Sequence, residues 1–168
     1  VVPAKSLRNV MGREFRTRNK YGFPVQLNPD SRIVYHDSPA HVGKLKHAVD
    51  FLVSEGTPVK AALDGTVVDI QASSDIGGAE KSKEQYGNFI EIRHDNDEYS
   101  EYEHLRKDGV CVAVGDHVTK GQRIGYSGTT GWLADLGPHL HFMVGKYGEK
   151  VEDYETLSIV WDDDTPIH

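Results

Sequence analysis

From Lys46 onward, glycine, proline, aspartate and asparagine cut the sequence into short apolar and β-branched runs, leaving no stretch with a sustained helical period. The runs at 47–52, 58–63, 65–71, 87–94, 98–105, 123–127 and 139–145 read as strands. Two segments echo each other, Gly56-Thr-Pro-Val-Lys-Ala-Ala-Leu-Asp-Gly-Thr-Val and Gly115-Asp-His-Val-Thr-Lys-Gly-Gln-Arg-Ile-Gly. Each sets glycines at turns around short β-branched runs, as barrel-sandwich folds with tight hairpins do. The expectation is an all-β domain with an antiparallel sheet, short hairpins and a barrel-sandwich-like core.

A chain of 168 residues is the size of one domain. Residues 1–30 have no sustained period and read as an irregular N-terminal extension leaning on a main domain at 31–150. Residues 151–168 form an acidic C-terminal tail, with the run Asp162-Asp163-Asp164 read as solvated. Residues 73–85 lack a hydrophobic period and read as a mobile surface loop.

Net charge is −7 and the 19 basic residues are scattered, so the electrostatic footprint of a nucleic-acid binder is missing. No run approaches the roughly 20 apolar residues of a membrane span. The single cysteine, Cys111, lies in Val110-Cys111-Val112 and reads as a buried structural thiol, which excludes an intrachain disulfide. The N-terminal Val-Val-Pro-Ala-Lys-Ser shows no basic segment followed by an apolar one, so no secretory signal is visible.

The chemistry concentrates in Gly137-Pro138-His139-Leu140-His141-Phe142-Met143-Val144. Strand side chains alternate, so His139 and His141 project from one face while Leu140, Phe142 and Val144 project from the other. A pair of solvent-facing histidines is the commoner meaning of His-x-His, so the motif needs company. In Glu98-Tyr-Ser-Glu-Tyr-Glu-His104-Leu105, Tyr102 and His104 are expected to share a face, and pairing of this strand beside the first would bring three histidines together. A carboxylate is also wanted, because catalytic zinc commonly takes three protein ligands of mixed His and carboxylate type. Asp50, in the otherwise apolar Ala48-Val49-Asp50-Phe51-Leu52, is costly there unless paired or ligating.

The ordered set runs from His41 through Ala48-Val49-Asp50-Phe51, Gly56-Thr57-Pro58-Val59 and Tyr86-Gly87-Asn88. It continues through Tyr102-Glu103-His104-Leu105, Gly115-Asp116, Gly128-Thr129-Thr130-Gly131 and Gly137-Pro138-His139-Leu140-His141-Phe142. Together these resemble the lysostaphin or LytM-type zinc endopeptidases over about residues 35–145. The resemblance implies a duplicated hybrid motif core and a zinc ion held by a first histidine, Asp50 and His141, with His139 and His104 acting in catalysis. The commonest family pattern has its first histidine four residues before the aspartate, where this chain has Lys46. His41, nine residues before Asp50, is the preferred first ligand; His47, three before, is the alternative, and His36 a third candidate. His94, His117 and His168 read as surface residues. The implied substrate is the peptide stem or cross-bridge of peptidoglycan, and the implied location is periplasmic or extracellular. Two alternatives stand beside this one. An inactive member of the same fold would bind cell wall or a partner through the same groove. A lipoyl or biotinyl carrier shares the hairpins, but it needs an exposed lysine at a hairpin tip, and Asp64-Gly65-Thr66 has none.

Overall fold

The structure, a computed structural model, describes residues 15–35, 39 and 41–163. His36, His168 and Asp164 therefore lie outside the described residues. The strands in chain order are β1 (Arg16–Tyr21), β2 (Arg32–Val34), β3 (Val49–Leu52), β4 (Pro58–Lys60), β5 (Gly65–Gln71), β6 (Gly77–Gly78) and β7 (Asn88–Arg93). They continue with β8 (Tyr99–Leu105), β9 (His117–Val118), β10 (Arg123–Tyr126), β11 (Gly131–Trp132), β12 (Leu140–Lys146), β13 (Glu155–Thr156) and β14 (Ser158–Trp161). Among the described residues helix is confined to short 3-10 turns, and no helix is long and apolar enough to cross a membrane.

The fold is all-β, and its main sheet is antiparallel throughout, in the order β2-β3-β12-β8-β7-β5-β9 with β13 added beside β12. Alternation sets its inner face: Phe51, Phe142, Tyr102, Ile90 and Val67 are all at or near zero exposure. The two echoing segments pair with one another. β4 runs antiparallel to β10, and Gly65 and Thr66 lie opposite Val118 and His117. Each segment thus supplies the hydrogen-bonding edge that the other needs, closing a hairpin layer over the core.

The ends of the described chain carry more structure than their composition suggests. β1 pairs in parallel with β14. Tyr21 and Val25 are fully buried, and Trp161 packs its ring against Phe23, Phe51 and Phe142 at 4.9, 6.2 and 6.0 Å. Within the stretch expected as an acidic tail, Thr156 and Leu157 are buried and Asp162 sits beside Lys120. Glu98 holds β1 down. Its carboxylate is fully buried and accepts hydrogen bonds from the Arg18 and Asn19 amides at 2.7 and 3.2 Å and from the Tyr21 hydroxyl at 3.0 Å.

Three expectations are corrected here. Residues 73–85, expected as a mobile loop, contain β6 and the start of a 3-10 turn, pinned where the Ser74 amide donates to Asn88 Oδ1 and Asn88 Nδ2 donates back to the Ser74 carbonyl. These polar groups satisfy the backbone without any hydrophobic period. Cys111, expected buried, is exposed, because the run containing it lies at the rim of the core rather than across it. His94, expected at the surface, is 5% exposed, with Nδ1 bonded to the Asp64 carbonyl and Nε2 to Ser100 Oγ.

Glu98 gives a test of the β1 anchor. Glu98→Ala leaves two amides and one hydroxyl without their charged acceptor, and at about 1.5–3 kcal/mol per such bond the loss should be at least about 4.5 kcal/mol. Urea denaturation followed by tryptophan fluorescence measures it; an unchanged midpoint would mean that β1 contributes nothing to stability.

Candidate active site

The register of three neighbouring strands assembles the site. His141 on β12 lies directly opposite Asp50 on β3 and, on its other side, opposite Glu103 on β8. Directly opposed residues on one sheet face have Cβ atoms about 5 Å apart, so these three form a row across the sheet. His139, at the residue before β12, projects to the same face. Beneath them Leu140 and Phe142 are fully buried, so a slip by one residue would exchange imidazoles for core side chains.

His41 enters from the segment between β2 and β3. Its Nε2 lies 3.1 Å from Asp50 Oδ2, and its Nδ1 contacts the Tyr35 carbonyl at 3.1 Å. His141 Nδ1 lies 3.0 Å from Asp50 Oδ1. The ligand atoms that His41, Asp50 and His141 offer all lie within 4.8 Å of one another, and all three residues are buried. His41 Nε2 is buried with no hydrogen bond of its own. An unpaired imidazole nitrogen facing a buried carboxylate is costly as it stands, and is what a cation at that point would satisfy. His47 is not part of this group. It is half-buried, its amide donates to Thr156 Oγ1, and it lines a small cavity with Tyr35, Val49 and Trp161.

His104 reaches the site by a device that strand alternation does not provide. Its φ is +67°, in the left-handed region that a residue with a Cβ rarely adopts. The twist turns its ring onto the face of His139 and His141, at centroid distances of 4.6 and 5.8 Å, and returns Leu105 to the core. The expectation that Tyr102 and His104 share a face therefore fails. Tyr102 lies in the core against Phe142, its oxygen accepting from the Ala62 amide and from Ser100 Oγ. The His104 ring is held by donating Nδ1–H to the Thr130 carbonyl at 2.7 Å. That carbonyl is carried close by Gly131, whose φ is +84°, and a Cβ there would meet Gly87 Cα at 2.8 Å and His104 Nδ1 at 3.1 Å.

Burial sets the charge states. It would raise the Asp50 carboxyl, but the His141 hydrogen bond and the close approach of the His41 ring outweigh it and hold Asp50 well below the ordinary carboxylate range. For His141, burial favours the neutral ring, yet the Glu103 charge and the Asp50 hydrogen bond leave its pKa raised in the metal-free protein. Burial, then the neighbouring His139, pushes His104 down to about 3. His139 is lowered by burial, against the pull of Asp50, whose Oδ1 lies 3.7 Å from His139 Nε2. Its Nδ1 is tied to the Gly137 carbonyl at 2.8 Å. Burial, with Glu103 and Glu91 close by, pushes Glu101 well above the usual carboxyl value.

A groove of about 380 Å³ opens beside His104 and His141, walled by Leu45, Glu84, Glu103 and Trp132. Segment 73–85 and its 3-10 turn form part of that wall. A depression of about 620 Å³ around Asp64, Thr66 and His117 shares no residue with the site. Sequence reasoning gave no role to Glu103, because setting Tyr102 and His104 on one face placed Glu103 on the other, away from the histidines. The backbone carbonyls of Tyr35, Thr130 and Gly137, which orient three of the histidines, have no sequence signal at all.

Comparison with known proteins identifies the family of the chain. The family model described as peptidase family M23 matches residues 44–153, a span that contains Asp50, His104, His139 and His141 and begins just after His41. The match covers more than half the chain, and the protein belongs to that family. It is 42% identical over 101 residues to lysostaphin of Staphylococcus staphylolyticus, covering 60% of this chain and 18% of that protein. It is 38% identical over 96 residues to the peptidoglycan DD-endopeptidase ShyA of Vibrio cholerae, covering 57% of this chain and 19% of that protein. The chain thus spans less than a fifth of the length of these two relatives. Among solved structures, LytU superposes with a TM-score of 0.56 at 34% identity, covering 78% of this chain and 84% of that one.

The depressed His104 predicts how stability varies with pH. An unfolded imidazole titrates near 6.5, while the folded one stays neutral to about 3. Between those values the unfolded state binds more protons, so the metal-free protein loses stability as pH falls from 6.5 toward 3, by up to about 1.4 kcal/mol per pH unit from this group. Urea titrations of wild type and His104→Gln at several pH values check it: the variant's slope should be shallower, and equal slopes would refute the assignment.

Proposed function

We propose that this M23 family member is a zinc-dependent endopeptidase that hydrolyses amide bonds in the peptide stems or cross-bridges of peptidoglycan. His41, Asp50 and His141 are the zinc ligands and His104 and His139 the catalytic histidines. The observation that carries the reading is the convergence of buried His41 Nε2, His141 Nδ1 and the Asp50 carboxylate, with one nitrogen unpaired. Two imidazoles and one carboxylate are a catalytic zinc set that leaves a coordination position open. When bound there, zinc lowers the pKa of a water toward about 7 and polarises the scissile carbonyl.

The chain's own residues supply the rest. His104 and His139 each give Nδ1–H to a backbone carbonyl, which leaves each Nε2 lone pair free to act. Both are held neutral by burial, so either can accept a proton from the attacking water. One takes that proton and the other supports the developing oxyanion or delivers a proton to the leaving amine. Leu45 and Trp132 give the groove an apolar wall, suited to an extended peptide from which water is excluded. The substrate class follows lysostaphin and ShyA, and with it a workplace in the cell envelope.

Elemental analysis tests the metal set. Wild type should carry about one zinc, His41→Ala and Asp50→Ala should lose it, and His47→Ala should keep it. Wild type without zinc after zinc is supplied would overturn the proposal.

Digestion of purified peptidoglycan tests the catalytic roles. His104→Ala and His139→Ala should keep zinc while losing about 10²–10⁴-fold in rate. A zinc-loaded wild type that releases no peptide would instead support the inactive binding member of this fold.

A further inference from the structure

The four histidines of the site do not present the same nitrogen. His41, His104 and His139 each spend Nδ1 on a backbone carbonyl, those of Tyr35, Thr130 and Gly137, and turn Nε2 toward the site. His141 is reversed: its Nδ1 faces Asp50. Its proton, once Nδ1 serves as a ligand atom, must sit on Nε2, and that nitrogen is buried with no hydrogen bond to the backbone or to any other group. The charged group within reach is Glu103, whose Oε2 lies 3.3 Å away.

The placement is built into the sheet. Glu103 is directly opposite His141 in the β8–β12 ladder, on the side away from Asp50. Its side chain is 30% exposed and lines the groove, while Glu101 is hydrogen-bonded to it from two residues earlier on the same strand. An acceptor for a buried imidazole could have been a neutral carbonyl, as it is for the other three rings. A carboxylate does more, because it fixes the tautomer and ring angle and makes the opposite nitrogen a better donor to a cation.

Resting on the metal reading above, we propose that Glu103 is a positioning residue that holds His141 with Nε2 protonated and Nδ1 turned to the metal. Its charge raises the affinity of the site, and it acts through His141 rather than by ligating the metal itself. The row across three strands is therefore Asp50 as ligand, His141 as ligand and Glu103 as the carboxylate behind it.

The test measures zinc dissociation constants by competition with a chromophoric chelator, for wild type, Glu103→Gln and Glu103→Ala. Glu103→Ala should weaken zinc by about 10–100-fold. Glu103→Gln, which keeps an acceptor oxygen but loses the charge, should fall between the two. Proton NMR of the zinc-loaded protein supplies a readout that general destabilisation would not move. A hydrogen-bonded His141 Nε2–H resonance should be present in wild type, shifted in the Gln variant and lost to solvent exchange in the Ala variant. Circular dichroism of the metal-free proteins shows whether each variant folds, and the near-isosteric Gln variant decides the matter should Ala not fold. Wild-type affinity in both variants, or an unchanged Nε2–H resonance in the folded variant, overturns the role of Glu103 and leaves the metal set standing. A wild type that binds no zinc overturns both.

Discussion

The site depends on the register of β12 between β3 and β8. Leu140 lies opposite Phe51 and Phe142 opposite Val49 and Tyr102, and all of these side chains are buried. Burial of these five side chains, with about 1.5–3 kcal/mol for each of the Leu, Val and Phe members, makes any other register far worse. The same pleat that sends them inward sends Asp50, His141 and Glu103 outward in one row. Fold and site are thus two faces of a single packing decision: the hydrophobic core aligns a polar constellation that would be unstable as a set of isolated choices.

Strands place these side chains, but the loops decide what each imidazole can do. Three rings are locked by carbonyls from irregular segments, Tyr35 before His41, Thr130 beside His104 and Gly137 before His139. Backbone acceptors fix the tautomer without adding charge to a crowded buried site, while burial holds His104 and His139 neutral. Asn88 binds this loop layer to the sheet: its amide donates to Thr130 Oγ1, while its side chain donates to the carbonyls of Ser74 and Leu105. Through Asn88, Ser74 and Thr130 are thus tied to the same strand end beside the groove.

What was legible in the sequence followed period two. The strand around His139 and His141, the out-of-place carboxylate of Asp50 and the echo between the two glycine-rich segments were all visible, because alternation and turn chemistry are local properties. The failures are where a local rule was overridden. His104 leaves alternation through one left-handed residue, a choice made by the Thr130 carbonyl and the tight approach of Gly131, both distant in sequence. Residues 73–85 have no hydrophobic period because side-chain amides rather than apolar contacts anchor them. His94 was misplaced because its partners, Asp64 and Ser100, are set by sheet pairing. Glu103 was passed over because a glutamate on the outer face of a strand is ordinarily solvated, and only the ladder reveals His141 beside it.

The buried charges of the metal-free site also bear on stability. Asp50 is 1% exposed and remains ionised only because His41 and His141 surround it, and the buried Nε2 atoms of those two rings make no hydrogen bond. Burying a carboxylate and leaving polar nitrogens unpaired opposes folding, and the core beneath must offset that cost. A divalent cation among the three would satisfy the carboxylate and His41 Nε2 together, and because it binds only the folded arrangement its binding free energy would add to folding. The chain thus holds this polar cluster preorganised on the sheet rather than assembling it on demand. The geometry of the cluster is maintained by apolar packing from one face, and a cation on the other would relieve its electrostatic cost.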